Sequence, residues 1–323
     1  MYDKKNSGRP GRAAAGNGDF RMENLIKALS AQAGSECVFV QEEMKKHTTF
    51  RIGGPADVFV TPGTTQAAAG VVQICRESKT PFYIIGNGSN LLVSDQGYRG
   101  VVIQLYKNFS RIEVKENIIE AQAGAMLSSI AAKARDHSLS GFEFAAGIPG
   151  TLGGAMVMNA GAYGGELKDV LTEALILDPE GQVRWVPAAD MEFGYRKSAV
   201  GARGWIALGA RLSLSEGRPD EIRSRMEELK RQRVSKQPLE YPSAGSTFKR
   251  PEGYFAGKLI MEAGLRGFSV GDAQVSEKHC GFVINKGNAT AREVRALMQE
   301  VVRRVKENSG VTLEPEVKML GEF

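Results

Sequence analysis

Five stretches of this chain combine side chains that handle protons or anions with residues that let backbone approach a ligand. Gly194-Tyr195-Arg196-Lys197-Ser198 offers a guanidinium whose planar fork fits a carboxylate or phosphate. Taken alone, Arg196 reads first as a surface stem lying on the tyrosine ring. Ser243 to Pro251 (SAGSTFKRP) surrounds Ser246 with small residues, leaving its hydroxyl accessible beside Lys249 and Arg250, with Lys236-Gln237-Pro238 just upstream. The competing reading is an ordinary polar turn. No GxSxG elbow is present and no histidine lies nearby in sequence, which argues against a serine hydrolase. Leu313-Glu314-Pro315-Glu316-Val317, read as a strand, points Glu314 and Glu316 to one side, as an arginine-lined site or a solvent edge would need.

Two glycine-rich segments complete the set. Gly86-Asn87-Gly88-Ser89-Asn90 follows an apolar run, so its backbone N–H groups can converge on an anion while Ser and Asn side chains add donors. It departs from GxGxxG and leads into a strand rather than a helix, and a hairpin-like turn explains it equally well. The run Gly147-Ile148-Pro149-Gly150-Thr151-Leu152-Gly153-Gly154-Ala155 has too many apolar residues for a surface loop and too many glycines for a helix core. Backbone packed on a flat ligand accounts for both, a tight crossing of elements being the alternative. Two such loops point to a large dinucleotide.

Around these motifs, strands are expected at Ala56–Val60, Phe82–Ile85, Leu91–Val93, Val101–Leu105, Ile112–Val114, Ile118–Ala121, Leu175–Leu177, Val183–Val186 and Trp205–Leu214. Helices are expected at Thr64–Lys79 and Met126–His137. Runs of strands with few helices between them argue for an α+β fold. Glu216-Gly217-Arg218-Pro219 marks a break, after which Asp220 reads as the cap of a helix. Beyond it come a helix near Phe255–Ala263, a strand Cys280–Asn285, a helix opened by the capping box Thr290/Glu293 and stopped at Gly310, and a strand Val311–Leu320. This divides the chain into a flexible tail (1–20), a region from 21 to 217 and a C-terminal domain (218–323).

Composition narrows the classes. The 38 glycines are about 12% of 323 residues, against roughly 7% in average usage, with no collagen-like period. No apolar run is long enough to span a bilayer, so a soluble protein is expected. The formal charge of +5 includes +2 from residues 1–20, and the remainder suits a small anionic ligand without any nucleic-acid motif. Three cysteines without CxxC and three histidines without HExxH argue against a disulfide framework and a metal site, and fit a reducing cytoplasm.

In this order, the blocks TFRIGGPA (49–56), GNGSN, GIPGTLGGA, GYRKS, AGSTFKRP, GFVINKGNATA and LEPEV resemble the UDP-N-acetylenolpyruvoylglucosamine reductases, flavoenzymes of peptidoglycan precursor synthesis. The likeness runs over about residues 45–321. It implies that residues 21–217 form two subdomains, split near 106, that bind FAD as vanillyl-alcohol oxidase (PCMH-type) relatives do, followed by an α+β substrate-binding domain (218–323). With fifty residues from Arg196 to Ser246, the chain is similar to the shorter of the family's two types.

The same resemblance implies the chemistry: NADPH reduces noncovalently bound FAD, and hydride then passes from flavin N5 to the enolpyruvyl group of a UDP-sugar. Arg196 matches the family's arginine at the substrate carboxylate, Ser246 its proton donor and Glu316 its third catalytic residue. Glu314 is the runner-up to Glu316. Gly86, Asn87, Gly88, Ser89, Asn90, Gly147, Ile148, Gly150, Thr151 and Gly153 are the expected cofactor contacts. Lys236, Lys249, Arg250 and His279 are the expected substrate contacts. No metal, nucleic acid, membrane or obligate protein partner is expected. An FAD-dependent hydroxy-acid oxidase or dehydrogenase of the same fold is the alternative, with His47 and Cys75 outside the loops that would tether a flavin.

Overall fold

The computed structural model describes residues 13–323. The first subdomain is a four-stranded sheet of β1 (Val38–Glu43), β2 (Pro55–Val60), β3 (Phe82–Ile85) and β5 (Tyr98–Gln104) in the order β1-β2-β5-β3, with β4 (Leu91–Val93) outside it. Strands β2, β5 and β3 are parallel, and β1 is the antiparallel edge. Helix α2 (Thr65–Glu77) is capped by Thr64 Oγ1, which accepts from Ala67 N, and buries Ala68, Val71, Val72 and Cys75 on one face. Helix α1 (Ala13–Ala33) packs on α2. Residues 1–12 of the expected tail lie outside the described residues, but residues 13–20 open this helix and are not a loose extension.

Between Gln104 and Ile112 the chain leaves the first sheet for a second, wholly antiparallel one. Its five strands run in the order Val183–Pro187, Leu171–Leu177, Ile206–Ser213, β7 (Ile118–Gln122), β6 (Ile112–Lys115). Helix α3 (Leu127–Asp136) lies across it, with Leu127, Ile130, Ala131 and Ala134 buried.

A further helix, α4 (Leu152–Met158), falls where glycines argued against one. Its Gly153 explains why: a Cβ there would lie 2.9 Å from Ala123 Cβ, and Gly153 N donates to Ala123 O at 2.7 Å. The helix seats so closely on the end of β7 that only glycine fits, and this contact outweighs the cost of about 1 kcal/mol for a helical glycine.

The helix Pro219–Lys236 also corrects the reading. Arg218 is its N-cap, Pro219 begins it, and Asp220 sits inside the first turn, where a carboxylate complements the helix dipole. Its Met226 packs on the core of the second subdomain, so the break at residue 217 separates this helix from the core it covers.

The remaining chain holds a short helix (Ala256–Glu262), three small antiparallel strands (Ser269–Val270, Ala273–Val275, Val283–Asn285) and a long helix (Ala291–Ser309). In that long helix the Thr290/Glu293 capping box is formed at the start, and Gly310 ends it with φ +74°. Its face of Val294, Leu297, Met298, Val301 and Val305 is buried in a core that also takes in Phe50, Ile52 and Leu92 of the first subdomain. The expected last strand shrinks to Lys318–Leu320, which pairs in parallel with β4. Upstream, Pro315 has no N–H for a ladder, and the chain there forms an isolated bridge with Phe248. The strand expected from Cys280 starts only at Val283, because Phe282 N closes a turn onto His279 O.

Candidate active site

The three bodies enclose a cavity of about 550 Å³. Its floor is the turn from β3 to β4, residues 86–90, and its walls are the loop before α4, the Arg196 turn, the end of helix Pro219–Lys236, and Ser246 and Glu316 from the C-terminal domain. Gly88 has φ +61°, and a Cβ there would meet His47 O at 2.2 Å, so the turn can take this shape only with glycine. The two asparagines of the turn are braces. Asn87 Nδ2 donates to Pro149 O at 2.7 Å, fastening the two glycine-rich loops together, and Asn90 Nδ2 donates to Glu316 O at 3.3 Å. Gly86, Gly88 and Ser89 line the cavity between these braces, a composition that fits a pyrophosphate.

Arg196 sits in a tight turn in which Gly194 N donates to Lys197 O at 3.0 Å and Lys197 N donates to Gly194 O at 3.3 Å. Its φ of +54° is rare for a non-glycine residue. The turn is held by Asn159, which ends α4 in the left-handed conformation and donates from Nδ2 to Gly194 O at 3.4 Å. Nothing in the spacing of Asn159 marked it for this task. Across the cavity, Arg196 Nε is 2.9 Å from Glu316 Oε1, with the side chains 25% and 13% exposed. The contact is an ion pair, and among the described residues no other group hydrogen-bonds that Nε. Burial pushes the Glu316 carboxyl above its usual range, against the opposing pull of Arg196.

Ser246 is set by its neighbour. Thr247 N donates to Gly281 O at 2.8 Å, and Thr247 O accepts from Glu316 N at 2.8 Å. One segment therefore carries both the exposed hydroxyl of Ser246 and the anchor of Glu316, and both line the cavity with Arg196.

Residues 56–187 match the FAD binding domain family, and residues 237–320 match the C-terminal domain of UDP-N-acetylenolpyruvoylglucosamine reductase. A reductase of that name from Agathobacter rectalis is 54% identical over 313 residues, covering 93% of this chain and 99% of the relative. Its namesake from Clostridioides difficile is 52% identical over 299 residues, covering 93% and 97%. The crystal structure of the Thermus caldophilus reductase superposes with a TM-score of 0.75 at 37% identity, covering 87% of this chain and 98% of the other. The chain belongs to the UDP-N-acetylenolpyruvoylglucosamine reductase family. It is an FAD-dependent oxidoreductase, with the FAD-binding region and C-terminal domain that the family implies.

Within this family fold, the expected contacts divide. Gly86, Asn87, Gly88, Ser89, Asn90, Ile148, Gly150 and Thr151 line the cavity, as do Lys236 and His279. Gly147 and Gly153 do not; the first lies on the stem of Arg233 and the second packs on Ala123. Lys249 is not at the cavity either. Its Nζ pairs with Glu314 at 2.9 Å on the surface, which holds the Glu314 carboxyl below its usual range. Glu314 and Glu316 thus occupy opposite environments rather than one strand face. Arg250 stacks on the Phe255 ring at 4.0 Å in an adjoining groove that shares Arg196, Ser246, His279 and Glu316 with the cavity. That groove also carries Lys258, Arg266 and Lys278, a basic surface beside exposed Tyr195 and Phe255. His279 Nδ1 accepts from Gly281 N at 3.1 Å, so the neutral ring bears its proton on Nε2, and burial lowers its pKa.

Proposed function

We propose that the protein carries out the NADPH-dependent reduction of UDP-N-acetylglucosamine enolpyruvate to UDP-N-acetylmuramate in peptidoglycan precursor synthesis. The carrying observation is the meeting of Arg196, Ser246 and Glu316 at one end of a cavity whose floor is the glycine-rich 86–90 turn. The 86–90 turn and Ile148–Thr151 would hold FAD, which when bound would supply two-electron hydride chemistry between NADPH and the vinyl CH2 of the substrate. The rest of the reaction falls to the protein. Hydride addition drives electron density onto the substrate carboxylate, and a fixed guanidinium there stabilises the transition state more than the ground state. Arg196 fits this task, because its backbone is locked by the Gly194–Lys197 turn and its side chain lines the cavity together with Ser246 and Glu316.

The carbon beside the carboxylate must then receive a proton, and the exposed hydroxyl of Ser246 on the cavity lining supports its role as donor. A serine hydroxyl is a weak acid, so it works only against a strongly basic carbanion-like acceptor with cations nearby. Glu316, raised by burial, is suited to hold a proton and assist at the carboxylate. Lys236 and His279 are then contacts for the sugar nucleotide, with Arg250 and its basic groove taking the diphosphate end.

The hydroxy-acid oxidase alternative gains nothing here. Cys75 is buried in α2 with its thiol pushed up to about 12, and His47 stacks on Phe59 at 4.0 Å, away from the cavity lining. The test is an anaerobic titration of the flavin spectrum, adding NADPH and then the enolpyruvyl UDP-sugar. Bleaching followed by return of the oxidised spectrum is expected. Bleaching without return would discard this substrate.

A further inference from the structure

Arg196, at φ +54°, keeps a backbone conformation that a residue with a side chain holds only where its surroundings enforce it. The enforcement comes from outside the turn, at both of its flanks. On one side Asn159 Nδ2 donates to Gly194 O at 3.4 Å. On the other, Ser198 Oγ donates to Val157 O at 3.2 Å and accepts from Val200 N at 3.3 Å. Val157 and Asn159 both belong to the C-terminal end of α4.

Asn159 is 1% exposed, and both ends of its amide are bonded. Nδ2 also donates to Glu166 Oε2 at 3.0 Å, and Oδ1 accepts from Lys168 N at 3.0 Å. Those two bonds fix which way the amide faces, so its second N–H has a set direction toward Gly194 O. Glu166 is held in turn by Lys168 Nζ at 2.8 Å, a pairing that keeps its carboxyl below the usual range.

The same helix puts Gly154, Ala155, Val157 and Met158 on the cavity wall. Its body therefore lines the space in which FAD would lie, while its last turn grips the segment that carries the guanidinium. A turn closed only by its own Gly194–Lys197 bonds could swing as a unit, and bonds from both flanks to one helix remove that freedom. We propose that Asn159 and Ser198 are positioning residues, which fix the Arg196 guanidinium relative to the cofactor wall and act on the substrate half-reaction through Arg196. This rests on Arg196 acting at the substrate carboxylate, as described under Proposed function.

The experiment follows the two half-reactions of FAD-loaded Asn159→Gly by rapid-mixing absorbance. Glycine adopts the left-handed conformation at φ +42° without strain, so the end of α4 is kept while the amide is deleted. Bleaching by NADPH should stay within about twofold of wild type, and reoxidation at saturating enolpyruvyl UDP-sugar should slow by about 10–10²-fold. Ser198→Ala should slow reoxidation by about two- to tenfold, and Ser198→Thr, which keeps the hydroxyl, should recover most of that loss. In an Arg196→Met background, Asn159→Gly should slow reoxidation by less than about twofold further, which a merely structural role would not produce. Wild-type reoxidation in Asn159→Gly overturns the proposal. Equal slowing of both half-reactions does so too, since it would assign Asn159 to the cofactor wall, as does the full loss recurring in Arg196→Met. If Asn159→Gly fails to fold, Ser198→Ala decides: wild-type reoxidation there is equally fatal. Reduced wild-type flavin that the sugar never reoxidises would instead sink the reading of the substrate.

Discussion

The C-terminal domain meets its two neighbours in different ways. Against the first subdomain it is knitted in. Lys318–Leu320 extends β4, and Asp95 caps the long helix by accepting from Ala291 N at 2.7 Å and Arg292 N at 3.0 Å. Asn285 Nδ2 donates to Phe50 O at 3.2 Å, and Phe50, Ile52 and Leu92 enter its core. Against the Arg196 turn of the second subdomain the contacts are sparse and polar: the Tyr195 hydroxyl accepts from Arg250 N at 3.2 Å, and Arg196 approaches Glu316. The groups proposed to react thus face one another across the weaker seam. A hydrophobic seam fixes a geometry but admits no substrate, whereas a polar one can exchange its internal partners for a ligand's at little net cost. On our proposal, stability belongs to the first seam and chemistry to the second.

That division can be broken at either side. Leu92→Ala should remove about 2–5 kcal/mol of stability, read from denaturant unfolding, while leaving turnover per folded molecule near wild type. Arg196→Met should do the reverse, lowering turnover by about 10²–10³ with little change in unfolding midpoint. A variant that moved both readouts equally would erase the distinction. Asp95→Ala strips two N-terminal donors of the long helix of their acceptor and should cost about 0.5–2 kcal/mol, again without a change in flavin reoxidation.

Glu316 gives the smallest expected effect and a sign. Its carboxyl is raised in the folded state, so the folded protein holds that proton to higher pH than the unfolded chain. Stability is therefore lost as pH rises from the ordinary carboxylate range through the raised folded value. Glu316→Gln should abolish this decline, gaining on wild type as pH increases across that window in thermal melts. A pH-independent difference between the two would contradict the assignment of burial as the cause.

The sequence made some of this legible and hid the rest for physical reasons. Thr290/Glu293 and Gly310 bound the long helix because caps are local chemistry. The apolar runs at 82–85 and 91–93 framed the 86–90 turn as strands for the same reason. Gly153 misled, since glycine at a close crossing and glycine at a ligand look alike in sequence. Asn87 and Asn90 line the cavity as expected, but their bracing role was hidden, because the partners Pro149 O and Glu316 O are remote in the chain. Arg233 was invisible because its burial against Gly147 comes from packing between segments remote in the chain. The difference between Glu314 and Glu316 depends on where Lys249 and Arg196 arrive, and no two-residue spacing encodes that.

The most direct test of chemistry at the weaker seam is rapid-mixing absorbance of Ser246→Ala, with the two half-reactions followed separately. NADPH should bleach the flavin at close to the wild-type rate, and reoxidation by the enolpyruvyl UDP-sugar should slow by about 10²–10⁴. Reoxidation at the wild-type rate would contradict the account, because the proton would then come from somewhere other than the group that the C-terminal domain holds against Arg196.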